Sequence, residues 1–203
     1  MTKRGVLVRR KRSLYNVLGW GFLSLILILP HLGFARGADQ ATSPAARVKA
    51  WDHHVRLREN SLFKNLIWRS VGPSFQGGRI SCVVSPSGHS STMYVGVGSG
   101  NAWKTTNNGV TWNPVFENES TFAVGDIEIS KSNPQIVWLG SGEEYQARSG
   151  YAGTGVFKST DAGESWINMG LVDTQHIGRI VIDPEDPDIV YVAAIGHNYT
   201  YNE

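Results

Sequence analysis

One eight-residue pattern occurs twice in this chain, and it limits what the chain can fold into more than any other feature. Thr105-Thr106-Asn107-Asn108-Gly109-Val110-Thr111-Trp112 and Ser159-Thr160-Asp161-Ala162-Gly163-Glu164-Ser165-Trp166 both read hydroxyl, x, Asp or Asn, x, Gly, x, hydroxyl, Trp. Their offset of about 54 residues is that of a repeat architecture built from small supersecondary units. The residue types have local reasons. Asn107 or Asp161 can accept hydrogen bonds from turn amides. Gly109 or Gly163 supplies a backbone angle that other residues resist. Trp112 and Trp166 are each expected to bury a ring between neighbouring sheets, and the hydroxyls of Thr105 and Ser159 to tie the turn to its strand.

The surroundings of the octets repeat as well. Gly78–Val84, Gly125–Ser130 and Gly178–Asp183 align with one another. Each runs into a turn and then an aromatic-bearing strand: Met93–Val97, Ile136–Gly140 and Ile189–Ala193. A Gly-rich loop follows, then Ala102–Lys104 or Val156–Lys158, the octet, and a last strand from the Trp. Four short strands in a unit of about 50 residues, broken by Gly, Pro, Asn and Ser, predict an all-β chain made of β-propeller blades with strands A to D. The predicted blades are 78–117, 125–171 and a partial blade 178–203, and Leu66–Val71 reads as a lone D strand that completes a last blade. Roughly two and a half blades fall short of the four to eight typical of a closed propeller, so the expectation is an incomplete propeller that needs further blades to close.

The N-terminal part has another texture. Lys3, Arg4, Arg9, Arg10, Lys11 and Arg12 precede an uncharged stretch from Ser13 to Ala35, and small residues follow at Gly37 and Ala38. This pattern over residues 1–38 predicts a secretory signal peptide, with an uncleaved membrane anchor as the alternative, and hence an exported protein. Residues 39–63 read as a linker followed by a short amphipathic helix with Val48, Trp51 and Val55 on one face. The leader carries seven Lys/Arg and no Asp or Glu, so the formal charge of +2 becomes −5 for the rest. That removes the electrostatic case for a nucleic-acid partner. Cys82 is the single cysteine, so no intrachain disulfide forms, and it is expected as a small buried hydrophobe. His31, His53, His54, His89 and His176 show no metal-ligand spacing, and neither a metal nor a cofactor is expected.

The octets resemble the Asp-box (BNR) repeats of the sialidase-like propeller superfamily. Trp68-Arg69-Ser70-Val71-Gly72-Pro73, the Gly-Gly-Arg-Ile at 77–80, the Trp103–Trp112 run and His176–Pro184 resemble bacterial secreted proteins of the sortilin-type or "glycosyl hydrolase, BNR repeat" kind. The resemblance spans about 64 to 203 and implies the propeller fold. The octets mark the C–D hairpins, on the face opposite the usual ligand site, so Thr105, Asn107, Gly109, Trp112, Ser159, Asp161, Gly163 and Trp166 are structural. On the ligand face, where D–A and B–C connections meet, Arg79, Asp126 and Arg179 are read as equivalent positions at the start of the channel-lining strands. Glu143, Glu144 and Tyr145 open the long B–C loop of the second unit, and His197 opens that of the third. Carboxylates beside arginines suit acid–base work on a glycosidic bond, and arginines also clamp anions or make ion pairs between blades. Sialidases use three converging arginines, a Tyr–Glu pair and an acidic Asp, a set not assembled here. Gly98-Ser99-Gly100-Asn101 stands where the xyloglucan-hydrolase branch has an Asp-containing loop. No catalytic residue is therefore assigned. The expected function is ligand binding, of carbohydrate or protein, through the channel face; the alternative is a glycoside hydrolase whose site is completed by residues beyond this chain.

Overall fold

The computed structural model describes residues 42–67, 78–88, 91–145 and 150–198. The leader, the Trp68–Pro73 segment, His89 and residues 199–203 lie outside them. A helix, α1 (Pro44–Asn60), comes first. Ten strands follow: β1 (Ile80–Val84), β2 (Met93–Val97), β3 (Ala102–Thr105), β4 (Asn113–Pro114), β5 (Val124–Ile129), β6 (Val137–Ser141), β7 (Val156–Ser159), β8 (Ile167–Gly170), β9 (Ile177–Ile182) and β10 (Val190–Ala194). They form an antiparallel sheet 1 (β1–β4), an antiparallel sheet 2 (β5–β8) and a two-stranded sheet 3 (β9–β10), each in plain meander order. This is the blade pattern of a β-propeller, carried here as two full blades and the first half of a third.

α1 begins at Pro44, within the 39–63 stretch read as linker and short helix. Ser43 caps it, its hydroxyl accepting from the Ala46 amide at 3.2 Å, and Pro44 opens it, where a missing N–H costs nothing. Val48, Trp51 and Val55 are half-buried, and no residue of the helix is fully buried. Leu66 and Ile67, the described start of the expected lone D strand, are exposed and belong to no strand.

Two apolar layers hold the sheets together. Between sheets 1 and 2 lie Tyr94, Ala102, Phe116, Val124, Ile127, Ile129, Val137, Leu139 and Phe157, with Cys82 and Trp166 packed against them. Between sheets 2 and 3 lie Trp138, Val156, Ile177, Ile180 and Ile182. Cys82 is half-buried, and burial, helped by Asp126, pushes its thiol up to about 11. It behaves as a small apolar filler.

The innermost strand of each sheet carries a bulge near its start. Ser81, Gly125 and Gly178 are the residues skipped by the pairing register. The bulge corrects the alignment made on Gly78, Gly125 and Gly178. Cys82, Asp126 and Arg179 are the equivalent residues, opposite Gly96, Gly140 and Ala193. Arg79 instead matches Ala123 and His176, whose carbonyls accept from the equivalent amides of Gly98, Gly142 and Ile195. The bulge residue is a glycine in sheets 2 and 3 but Ser81 in sheet 1, which is why matching glycines by eye misplaces Arg79 by three positions.

Both octets form the same closed hydrogen-bond ring. Ser159 Oγ accepts from the Gly163 amide (2.8 Å) and donates to Asp161 Oδ1 (2.7 Å), which also accepts from the Ser165 amide (2.9 Å). In the first octet Thr105, Asn107, Gly109 and Thr111 repeat these bonds. Gly109 and Gly163 sit at φ +82° and +88°, where a Cβ is disfavoured. The two tryptophans differ. Trp166 donates its indole N–H to the Val115 carbonyl (2.6 Å) and packs edge-on to Phe116 at 5.5 Å, both in the connection after sheet 1. Trp112, expected to be buried, is 37% exposed. The octet ring reaches back to the preceding sheet, and among the described residues no sheet precedes sheet 1.

Two predictions follow from the octets. Trp166→Ala should cost about 3 kcal/mol, the low end for a large core residue because the ring is half-buried, whereas Trp112→Ala should cost under about 1 kcal/mol; urea titrations measure both. The hydrogen bonds from Ser165 and Ser159 hold the Asp161 carboxyl down at about 2 against an ordinary 3.8. A depressed carboxyl contributes stability that is complete above its unfolded value and is lost as pH falls through the folded one. Asp161→Asn, copying Asn107, should therefore keep the turn and flatten the stability loss between about pH 4 and pH 2.

Candidate functional site

β1, β5 and β9 begin at the same end of the stack, opposite the octets, and the connections there gather the charged residues. Glu143 follows β6 in the B–C loop of sheet 2 and is fully buried at 0% exposure. Its amide donates to the Tyr151 carbonyl at 2.9 Å, which fixes the first turn of the loop. Gly142 before it has φ +92°, and a Cβ there would collide with the Gln175 carbonyl oxygen. Any other residue would push sheets 2 and 3 apart at this point.

The Glu143 carboxylate forms an ion pair with the Nε of Arg79, from the start of sheet 1, yet among the described residues neither of its oxygens accepts a hydrogen bond. The Arg79 side chain is 42% exposed, so the pair joins a buried anion to a cation at the surface. On the other side, His176 is buried and its Nδ1 lies 2.9 Å from the Glu143 carbonyl oxygen. The Asn198 amide nitrogen lies 3.2 Å from His176 Nε2. With Asn198 donating, Nε2 must accept, and Nδ1 carries the proton to the Glu143 carbonyl. Burial, the largest influence, holds the imidazole below 6.5 and keeps it neutral; His197 and Arg47 act in the same direction, and Glu143 opposes them.

A second pair lies between sheets 2 and 3. Asp126 is buried; its Oδ2 accepts from the Ile180 amide at 2.8 Å and lies 3.6 Å from Arg179 Nε. Burial raises the Asp126 carboxyl, partly offset by the Ile180 amide and Arg179. Glu144 is raised mainly by burial and then by the Asp126 charge, with Arg179 opposing. Arg79 and Arg179 thus both make ion pairs between sheets, from non-equivalent positions. Tyr145 is exposed in the loop, and His197 Nε2 meets the Asp173 carbonyl at 2.9 Å.

Several residues here carried no signal in the sequence. His176 was one lone histidine among several; its role depends on Glu143 and Asn198, distant in sequence. Phe122 and Tyr151 come from the D–A and B–C loops and meet with centroids 5.0 Å apart at 59°, both well exposed. Glu119, in the same D–A loop, is pushed by burial up to about 7. Arg47 of α1 donates to the Gly153 carbonyl at 2.7 Å, so the helix touches the same B–C loop. Among the described residues no group of three His, Cys, Asp or Glu could hold a metal ion.

No family model and no curated protein matches the chain. Among solved structures, an ancestral GH74 enzyme is similar with a TM-score of 0.46 and 22% identity, over 56% of this chain and 16% of that one. The GH74 enzyme of Niastella koreensis is similar with a TM-score of 0.43 and 22% identity, over 55% of this chain and 16% of that one. The chain therefore spans about one-sixth of the length of either, and neither similarity gives a role to any residue here.

The buried histidine makes a pH prediction. A histidine whose folded pKa is depressed contributes stability that is complete above its unfolded value and falls as pH drops below it. Asp126, raised by burial, contributes in the opposite direction, so the comparison must be with a variant. Lowering pH below about 6.5 should reduce the urea midpoint of the parent more than that of His176→Gln. Parallel pH profiles would exclude a neutral buried His176.

Proposed function

We infer that this chain is a carbohydrate-binding module of an exported β-propeller, with its ligand site at the end where β1, β5 and β9 begin. The observation that carries this reading is Glu143: a fully buried carboxylate with no hydrogen bond to either oxygen among the described residues, opposed by the half-exposed Arg79. Packing alone does not favour such a group, since an apolar residue of similar size usually serves a core at least as well. Retention of a charge there fits a group that a ligand engages. The exposed Phe122–Tyr151 pair favours a sugar over a protein: two aromatic faces beside carboxylates and arginines offer stacking area and directed hydrogen bonds together.

The glycoside hydrolase reading has one observation in its favour. Asp126 and Glu144 are both raised by burial, and the Asp126 charge adds to the rise at Glu144, an influence of one carboxyl on another that acid–base work uses. That arrangement suits acid–base chemistry.

Calorimetric titration with cellohexaose, xylohexaose and sialyllactose tests the proposal. At least one should bind, and Glu143→Gln should weaken it about tenfold or more, corresponding to about 1.4 kcal/mol. Absence of binding to all three, or affinity unchanged in Glu143→Gln, would remove this site from consideration. Hydrolysis of a bound oligosaccharide that is lost in Asp126→Asn or Glu144→Gln would favour the enzyme reading.

A further inference from the structure

Glu143 sets a chemical condition on any ligand that reaches it. Its carboxylate is fully buried, and the amides around it are committed to carbonyls: Gly98 to Arg79 at 2.8 Å, Gly142 to Ala123 at 2.9 Å, and Glu143 itself to Tyr151 at 2.9 Å. Towards sheet 1 the side chain meets Gly98, where a Cβ would lie 3.1 Å from Glu143 Cγ. That position therefore brings no side-chain donor to the carboxylate. Among the described residues Arg79 is its one ion-pair partner.

The two partners are unequally placed. The Arg79 side chain is 42% exposed and the Glu143 side chain 0%, so the guanidinium can turn into water while the carboxylate cannot follow. A buried carboxylate deprived of its counter-charge is strongly destabilised. A group that displaces Arg79 must therefore bring a positive charge of its own. A neutral hydroxyl would supply a hydrogen bond and leave the charge uncompensated. A primary ammonium meets both needs, being a compact cation with three donors, set against two oxygens that accept no hydrogen bond from the described residues. Outside the leader the chain carries a formal charge of −5, and a net negative field attracts cationic ligands. The Glu143 amide also ties this position to Tyr151, one ring of the exposed aromatic pair.

We propose that the sugar bound at this end carries a primary ammonium group, as in a glucosamine oligomer, and that this ammonium replaces the Arg79 guanidinium on the Glu143 carboxylate. The proposal rests on the carbohydrate reading above and narrows it to amino sugars. Arg79 then acts as a resident stand-in for the ligand: it compensates Glu143 in the empty site and yields to a cation that brings more donors. The exposed Phe122–Tyr151 pair receives the sugar ring, and an aromatic face beside an ammonium adds a cation–π attraction.

Calorimetric titration of the full chain with the hexamers of glucosamine, N-acetylglucosamine and lysine tests it. The glucosamine hexamer should bind at least about tenfold tighter than its N-acetylated counterpart, which keeps the rings and loses the charge. It should also bind tighter than the lysine hexamer, which keeps the charge and loses the rings. Glu143→Gln should erase the preference for the charged sugar. Arg79→Gln, at a half-exposed position, covers the case in which Glu143→Gln unfolds. It leaves Glu143 without its cation, so the glucosamine hexamer should raise the melting temperature of Arg79→Gln by more than it raises that of the parent. An N-acetylated hexamer that binds as well as the charged one would overturn the proposal, as would a preference that survives in Glu143→Gln, or an Arg79→Gln variant that gains no more than the parent. A lysine hexamer bound as tightly as the sugar would overturn it too, by making the rings irrelevant. Binding of cellohexaose or xylohexaose that depends on Glu143, without a preference for the ammonium, would overturn this inference and leave the carbohydrate reading standing. Binding of no saccharide at all would overturn both.

Discussion

The fold depends on the way each sheet is fastened to the one before it. Trp166 is the clearest instance: its ring lies edge-on to Phe116 and its N–H closes on the Val115 carbonyl, so one side chain supplies both apolar contact and direction. The octet exists to aim that ring. Its hydroxyl, its Asp or Asn and its glycine close a small hydrogen-bonded ring that leaves the tryptophan little freedom. Sheet-to-sheet packing by apolar area alone tolerates sliding; the addition of Tyr94 and Trp138 as donors to backbone carbonyls fixes position along the sheets as well.

This constraint also sets where charge can be placed. The octet end is occupied by turns that bind their own side chains, which leaves the opposite end for the long loops. There the chain buries Glu143, Asp126 and His176 close to the seams between sheets. Each is tied to a neighbouring sheet, through Arg79, through the Ile180 amide and Arg179, and through the Glu143 carbonyl. The same residues thus help hold the seams and give this end its chemistry, so changes there are expected to affect stability and binding together.

Much of the architecture was legible in the sequence because it is written locally. Octets, strand lengths and meander order follow from turn chemistry and short apolar runs, and Met93–Val97 is a strand with the bounds read from the sequence. The register was not legible. The bulge falls at Gly125 and Gly178 but at Ser81 in the first sheet, and a serine gives no sign of it. Arg79 was consequently matched with Asp126, although both it and Glu143 belong to the gathered site. His176 and the Phe122–Tyr151 pair were missed because their partners are joined only by the stacking of sheets. The exposure of Trp112 was missed because the octet describes the ring but not the surface that receives it.

The bulge has one more consequence. It gives each sheet an equivalent first position after the kink, and the three occupants are a thiol, a carboxylate and a guanidinium: Cys82 and Asp126 meet the following sheet, whereas Arg179 is exposed and reaches back to Asp126. The backbone treats these sites alike, but their chemistry does not. Sheet 2 accepts the small apolar Cys82 beside Val124, whereas sheet 3 offers Asp126 an amide and a cation. If the sheets stacked in another order, Asp126 would face an apolar surface without its partners, at the cost of an unpaired buried charge. Chemically distinct residues at one repeated position therefore favour one neighbouring sheet over another.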